Sequence, residues 1–212
     1  MVVHAPHHVR SFADLARAEI ALVATAWERR ARAASTDGFP YVHALLNEGR
    51  DAGASLPHSH SQLVWLREPP PAVLAEQESL RGDECALCRL VDHERASGSR
   101  IVSENEGVVA LASYAGRLPY ELLIVGDHLG DQDGFAGGAF LERALQLLAD
   151  SIRRLRAVEG PVPLNAWLHN SGHRHFEVLP RISVLAGLEL GAGLYVNTVD
   201  PEEAAERLRR AG

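Results

Sequence analysis

Histidines two residues apart occur at His58-Ser59-His60 and again at His173-Arg174-His175, and the first pair is followed by Gln62. In an extended strand, residues two apart share a face, so His58, His60 and Gln62 form one polar row. A neutral imidazole facing a phosphorus atom can displace a leaving phosphate and carry the nucleotidyl group as a phosphoramidate, splitting one transfer into two steps. The Gln62 amide can donate to a non-bridging oxygen without taking up a proton. Just upstream, Gly53-Ala54-Ser55 offers backbone N–H groups and a hydroxyl to a phosphate. The same alternation also describes the solvated face of an edge strand, and the motif alone leaves the two readings level.

The two cysteines, Cys85 and Cys88, are spaced C-x-x-C. So close a pair points to metal or redox chemistry before a structural disulfide.

These residues need elements to hold them. Ser11 and Asp14 read as a capping-box start to a helix over 11–35, with Ala16, Ile20, Val23 and Trp27 at helical spacing. Strands are predicted at 40–49 and 58–66, bracketing a glycine-containing loop, and the prolines of 67–73 break the second. Further strands are expected at 100–104, 108–113, 120–126, 164–169 and 175–180. Leu141, Leu145, Leu148, Ile152 and Leu155 mark one face of a long helix. Asp200 and Pro201 open a short final helix, PEEAAERLRR.

The order of parts repeats. A strand end with a histidine (His8; then Asp127-His128) is followed by helix, strand, loop and H-x-H, and the offset from His8 to His128 nearly equals that from His58 to His173. That pattern predicts an internal duplication. Only the second copy carries a C-x-x-C and two strands ahead of its lone histidine, so the first copy is expected to be truncated. The division predicted is 1–78, a partial first unit bearing HSHSQ, and 79–212, a second unit with the metal site.

With these parts in place, NEGRDAGASLPHSHSQL resembles the active-site segment of galactose-1-phosphate uridylyltransferases and related sugar-nucleotide phosphorylases, within the histidine-triad superfamily. The similarity extends through HAPHHVRSFADL, RIVSENEGVVALASYAGRLPYELLIVGDH and HRHFEVLPRISVLAGLELGAGLYVNTVDPEEAAERL. It lacks the family's N-terminal portion. The resemblance implies an α+β fold of two histidine-triad-like units, antiparallel sheets with packed helices, the first incomplete. It implies transfer of UMP or another nucleoside monophosphate from a nucleotide sugar to a sugar 1-phosphate, with His60 as the nucleophile and Gln62 holding the phosphate. Asn47 and Ser55 match phosphate-contacting positions, with Gly53 in the same loop, and Glu189 and Gly187 fit the sugar-phosphate segment. Ser183 stands where galactose-1-phosphate enzymes place a lysine, while Tyr195 and Asn197 either face the sugar or end a strand. Alternatives are a phosphorylase or hydrolase of other nucleotide substrates, or an inactive truncated zinc-binding module. Gln62 speaks against plain hydrolysis, since hydrolytic relatives use an imidazole there.

In the family His58, with a histidine matching His8 and an upstream C-x-x-C, binds zinc; those cysteines are absent here. Cys85, Cys88, His128 and His173 supply two thiolates and two imidazoles, a closed tetrahedral zinc set of structural type, and the repeat favours it over a redox pair. Some relatives instead hold a metal through positions matching Glu76, His169, His173 and His175. Both sets would claim His173, and soft sulfur favours zinc in the first. Glu76 as a solvated charge and His169 as a satisfied strand histidine stay open.

A net charge of −7 over 212 residues argues against binding nucleic acid through bulk positive potential. The absence of a long uncharged apolar run argues against a membrane span, so a cytoplasmic protein is expected. A sheet edge left open by missing strands predicts a homodimer.

Overall fold

The computed structural model describes residues 1–80, 85–126, 128, 135 and 139–212; Asp127, expected beside His128 at a strand end, lies outside the described residues. The predicted alternating segments form strands of one antiparallel sheet. β1 (Val2–Val3), β2 (Tyr41–Glu48), β3 (His60–Leu66), β4 (Ile101–Asn105), β5 (Val108–Ala112), β6 (Leu122–Val125), β7 (Leu164–His169) and β8 (His175–Pro180) pair in the order β1-β3-β2-β7-β8-β6-β5-β4. The pairing of β2 with β7, which sets Asn47 opposite Asn165, joins the stretches on either side of residue 78 into one sheet.

Strand alternation sorts side chains onto two faces. One face carries Ala44, Leu46, Ala166, Leu168, Phe176 and Val178 and forms the main core with α1 (Arg17–Thr36), α4 (Ala139–Glu159) and α6 (Pro201–Arg210). The α4 stripe read from the sequence, Leu141 through Leu155, is buried as expected. On the opposite face α3 (Ala86–Ser97) places Val91 against Val109, Leu111 and Val125, and α2 (Pro71–Ser79) crosses nearer to β2 and β7. No helix among the described residues is long and apolar enough to cross a membrane.

The helix expected over 11–35 is split. Ser11 accepts the Ala13 N–H and donates its own hydroxyl to Glu48, capping a 3-10 turn over Phe12–Asp14. The helix proper begins after Ala16, whose N–H is taken by Glu19. Asp14 pairs with Arg156 rather than closing a box on Ser11, because the α4 guanidinium is within 2.7 Å. Asp200 does stand at the start of α6, without a side-chain cap. Residues 183–197 hold a short helix, α5 (Gly187–Ala192), and no strand.

One contact ties the core to the polar row. The Trp27 indole packs on Phe176 and donates to the hydroxyl of fully buried Ser61, the neighbour of His60. Trp27→Ala is expected to lower stability by ~3–5 kcal/mol. Trp27→Phe, which keeps the ring but strands the Ser61 hydroxyl, should cost ~1–3 kcal/mol. Urea unfolding of both variants checks the order; a Trp27→Phe variant as stable as the wild type would deny the hydrogen bond a role, and equal losses would deny the ring packing one.

Candidate active site and metal centres

Ser61 faces the core, so its neighbours His60 and Gln62 point to the opposite sheet face. His60 is 2% exposed. Its Nδ1 lies 2.8 Å from the carbonyl oxygen of His58, which can only accept, so Nδ1 carries the proton and Nε2 keeps its lone pair. That lone pair meets the Ser55 hydroxyl at 3.3 Å. A cavity of about 810 Å³ runs past Asn47, Ser55, His58 and Ser59 and is walled on the far side by Arg10 and Arg156. His60 and Gln62 do not line it; the Ser55 hydroxyl borders both this space and the His60 nitrogen.

The loop between β2 and β3 turns on Gly49 and Gly53, both at positive φ (86° and 83°). At Gly49 a Cβ would press on Pro163, so glycine is required there twice over. The expectation that this loop offers its amides to phosphate is narrowed by the geometry. The Gly53 N–H is bonded to the Arg50 carbonyl and the Ala54 N–H to that of Gly49. Ser55 and Asn47, which both line the cavity, are left as side-chain donors.

The first-copy histidines cluster without completing a metal set. His8 and His58 meet edge to face, with ring centroids 5.3 Å apart, and no group of three or more metal-ligating side chains forms around them among the described residues. Nearby His4 bonds to the Ser59 hydroxyl; burial first, and then the charges of His60 and His58, bring its pKa down to about 3.

The second C-x-x-C fares differently. Cys85 stands at the N-cap of α3 and Cys88 in its first turn. Cys85 Sγ is 3.2 Å from His173 Nδ1, and Cys88 Sγ is 3.4 Å from His128 Nδ1 and 3.5 Å from His173 Nδ1. These separations suit four ligands about 2.0–2.3 Å from a central zinc. His173 Nε2 lies 2.6 Å from the Gly126 carbonyl, an orienting bond that leaves Nδ1 for a metal. Burial, then the adjoining Cys85 and the Asp92 carboxylate, push the Cys88 thiol up to about 11. Two crowded thiols resist ionisation unless a cation lies between them, so the donor chemistry fits zinc.

His173 is therefore not shared. The other group is Glu76, His169, His175 and Glu177, with Glu177 in the place expected for His173. Glu76 is not a solvated charge: from α2 it reaches His169 Nδ1 at 2.5 Å and His175 Nε2 at 3.3 Å. Glu177 approaches His169 Nε2 at 3.2 Å and pairs with Arg117. Burial alone would raise the Glu76 pKa, but hydrogen bonds from His169 and His175 and their charges outweigh it and hold the carboxyl at about 2. Burial alone would lower the His169 pKa, and its bonds to Glu177 and Glu76 instead raise it to about 9. A second cavity of about 460 Å³, bordered by Tyr41, His43 and Trp167, opens beside this group.

Register shows how the two polar clusters correspond. His175 Nδ1 bonds to the His173 carbonyl at 2.8 Å, as His60 does to that of His58. His175 pairs with Val125 on one side and His169 on the other, and His60 pairs with Val3 and stands one step beyond the Leu46–Ser61 pair, opposite Asn47. By position His169 answers to Asn47 and Glu177 to Gln62.

Glu177 and Asn165 escaped the sequence reading. Glu177 was findable, since it follows His175 by two residues on the same strand face; Asn165 carries no motif and emerges only from the β2–β7 register. Glu189 lies on exposed α5, where it accepts the Ala186 N–H and lines neither cavity. Asn197 donates to the Gly116 carbonyl, and Tyr195 is exposed.

Residues 31–211 match the family described as "Domain of unknown function (DUF4921)". ADP-glucose phosphorylase of Arabidopsis thaliana is 27% identical over 233 residues, an alignment covering 99% of this chain and 63% of that protein. Galactose-1-phosphate uridylyltransferase of Thermotoga maritima is 26% identical over 232 residues, covering 99% of this chain and 72% of the relative. A solved uridylyltransferase superposes with a TM-score of 0.87 at 27% identity, over 99% of this chain and 73% of its own. The chain thus spans less than two thirds of the phosphorylase.

In metal-free protein, α2 docking is expected to depend on pH in a defined window. The Glu76 contribution is full above 4.5, its unperturbed value, and is lost as pH falls toward about 2. The His169 contribution is full below 6.5 and is lost as pH rises through about 9. Hydrogen-exchange protection factors for α2 should peak between those unperturbed values and fall above the upper limit; a flat profile would refute the coupling.

Proposed function

We propose, for a chain that belongs to the DUF4921 family, that it transfers a nucleoside monophosphate from a nucleotide sugar to a phosphate acceptor through a nucleotidyl-His60 intermediate. The observation carrying this reading is the His60 imidazole itself, whose proton is held at Nδ1 by the His58 carbonyl while Nε2 meets a hydroxyl at the rim of a cavity. His60 Nε2 attacks the phosphorus nearer the nucleoside, and the P–O bond to the departing sugar phosphate breaks. The acceptor's phosphate oxygen then attacks the same phosphorus, the P–N bond breaks and the electron pair returns to Nε2. Ser55 and Asn47 donate to the non-bridging oxygens, the loop at Gly53 shapes the approach, and Gln62 steadies the phosphoryl group from the neighbouring strand position.

Nucleotide sugars and sugar phosphates are the partners that fit, UMP being the first candidate for the group moved. The Arabidopsis relative is named a phosphorylase, which favours inorganic phosphate as a second acceptor to test. Cys85, Cys88, His128 and His173 would hold zinc, whose role there would be structural, fastening α3 to the β8 side of the sheet. Glu189 approaches an acceptor only if its exposed segment meets the site of another chain, which accords with a cytoplasmic homodimer. The positional match between the clusters supports two duplicated units divided near residue 78.

Incubation of zinc-loaded protein with UDP-glucose, ADP-glucose and related nucleotide sugars should give a nucleotidyl mass adduct mapping to His60. His60→Asn should abolish it, and Gln62→Ala should slow its formation ~10²–10³-fold. No adduct with any donor, or an adduct surviving in His60→Asn, would sink the reading. Elemental analysis should show stoichiometric zinc that Cys85→Ser removes.

A further inference from the structure

Asn47 can serve a phosphate only through its NH₂ end, because its carbonyl end would repel the non-bridging oxygens. Diffraction-scale geometry seldom separates the two ends of an amide; a bonding network does. Here one does. Asn165, directly opposite Asn47 across the β2–β7 pair, has its Nδ2 2.8 Å from the Ala52 carbonyl oxygen and 2.8 Å from Asn47 Oδ1. The Ala52 carbonyl can only accept, so the Asn165 atom at this junction is its nitrogen. Its second hydrogen then requires an acceptor, which fixes the Asn47 atom facing it as oxygen. Asn47 Nδ2 must point the other way, and it lies 3.9 Å from where a Cβ on Gly53 would stand, over the loop that leads to Ser55.

We infer that Asn165 is a positioning residue: its amide sets the orientation of the Asn47 carboxamide so that the donor end faces the phosphate, and the same nitrogen anchors the loop at Ala52. The inference deepens the nucleotidyl-transfer reading and rests on it for its effect on rate. It also means that a strand from the second half of the chain completes the site of the first. Asn165 does not line the cavity and acts through Asn47.

Asn165→Asp is nearly isosteric and removes both donated bonds. An aspartate at 165 accepts only, so Asn47 turns its NH₂ toward it and presents oxygen to the phosphate. The His60 adduct should then form ~10²-fold more slowly, the loss typical of an oxyanion donor. In an Asn47→Ala background the same change should cost well under that ~10²-fold, because the route through Asn47 is already gone and only the Ala52 anchor remains to be lost. Asn47→Asp, which keeps an acceptor for Asn165 and so preserves the junction, should fold normally and still lose the adduct.

A second readout needs no turnover. In side-chain ¹⁵N spectra of the wild-type protein, the Asn47 NH₂ signal should shift on titration with UMP, and in Asn165→Asp that response should vanish while backbone signals away from β2 and β7 stay in place. A wild-type adduct rate in Asn165→Asp, additive losses in the double variant, or an Asn47 signal indifferent to UMP in the wild type would each overturn the inference. If the wild type forms no adduct yet the UMP response appears and Asn165→Asp removes it, covalent transfer fails and the positioning role stands.

Discussion

A histidine has two ring nitrogens, and only one of them can be a nucleophile at a time. In this protein the choice is made by the backbone: the carbonyl of the residue two before His60 binds the proton on Nδ1, and Nε2 is left with its lone pair. That short bond needs the chain between His58 and His60 held at one curvature. The surroundings supply it, since Ser59 receives hydrogen bonds through its carbonyl from His4 and donates its N–H to Val9, while Ser61 is fastened to the α1 indole. The core residues Trp27 and Phe176 thus act on the site at one remove, by keeping a polar strand start from slipping in register.

The same device appears a second time with a different result. His175 is oriented by the His173 carbonyl just as His60 is by that of His58, yet its Nε2 meets the carboxylate of Glu76 instead of a hydroxyl. A hydroxyl can yield its place to a phosphate oxygen, because it is neutral and can donate as well as accept. A carboxylate repels a phosphate and attracts a proton or a cation. Replacing Asn47 and Gln62 by His169 and Glu177 at the matching positions carries the change further. One backbone plan therefore sets a neutral hydroxyl and two carboxamides around one histidine and two carboxylates around the other.

Between them lies a fixed junction. The pairing of β2 with β7 makes the two halves share a sheet, and the Asn47–Asn165–Ala52 bonds cross that seam. Cys85 at the start of α3 and Cys88 in its first turn come within 3.2–3.5 Å of His173 and His128 on the far side. Neither arrangement relies on bulk charge, which suits a chain of net charge −7.

The sequence by itself determined the local matters. Alternation in HSHSQ and HFEVLP set which side chains share a strand face, the leucine spacing in 141–155 set the buried stripe of α4, and the glycines of the 49–53 loop marked a turn that other residues resist. Family resemblance added the expectation of nucleotide-sugar chemistry, and two relatives at 26–27% identity are named a uridylyltransferase and a phosphorylase. What the sequence left open were pairings between distant segments. Whether His173 served the thiols or the carboxylates, whether Glu76 was solvated, that the helix from residue 11 breaks at Leu15, and that Asn165 faces Asn47 were all decided by tertiary structure. The reason is physical: periodicity fixes the direction of a side chain relative to its own backbone. The partner it meets depends on strand register and helix docking, which the whole core settles together.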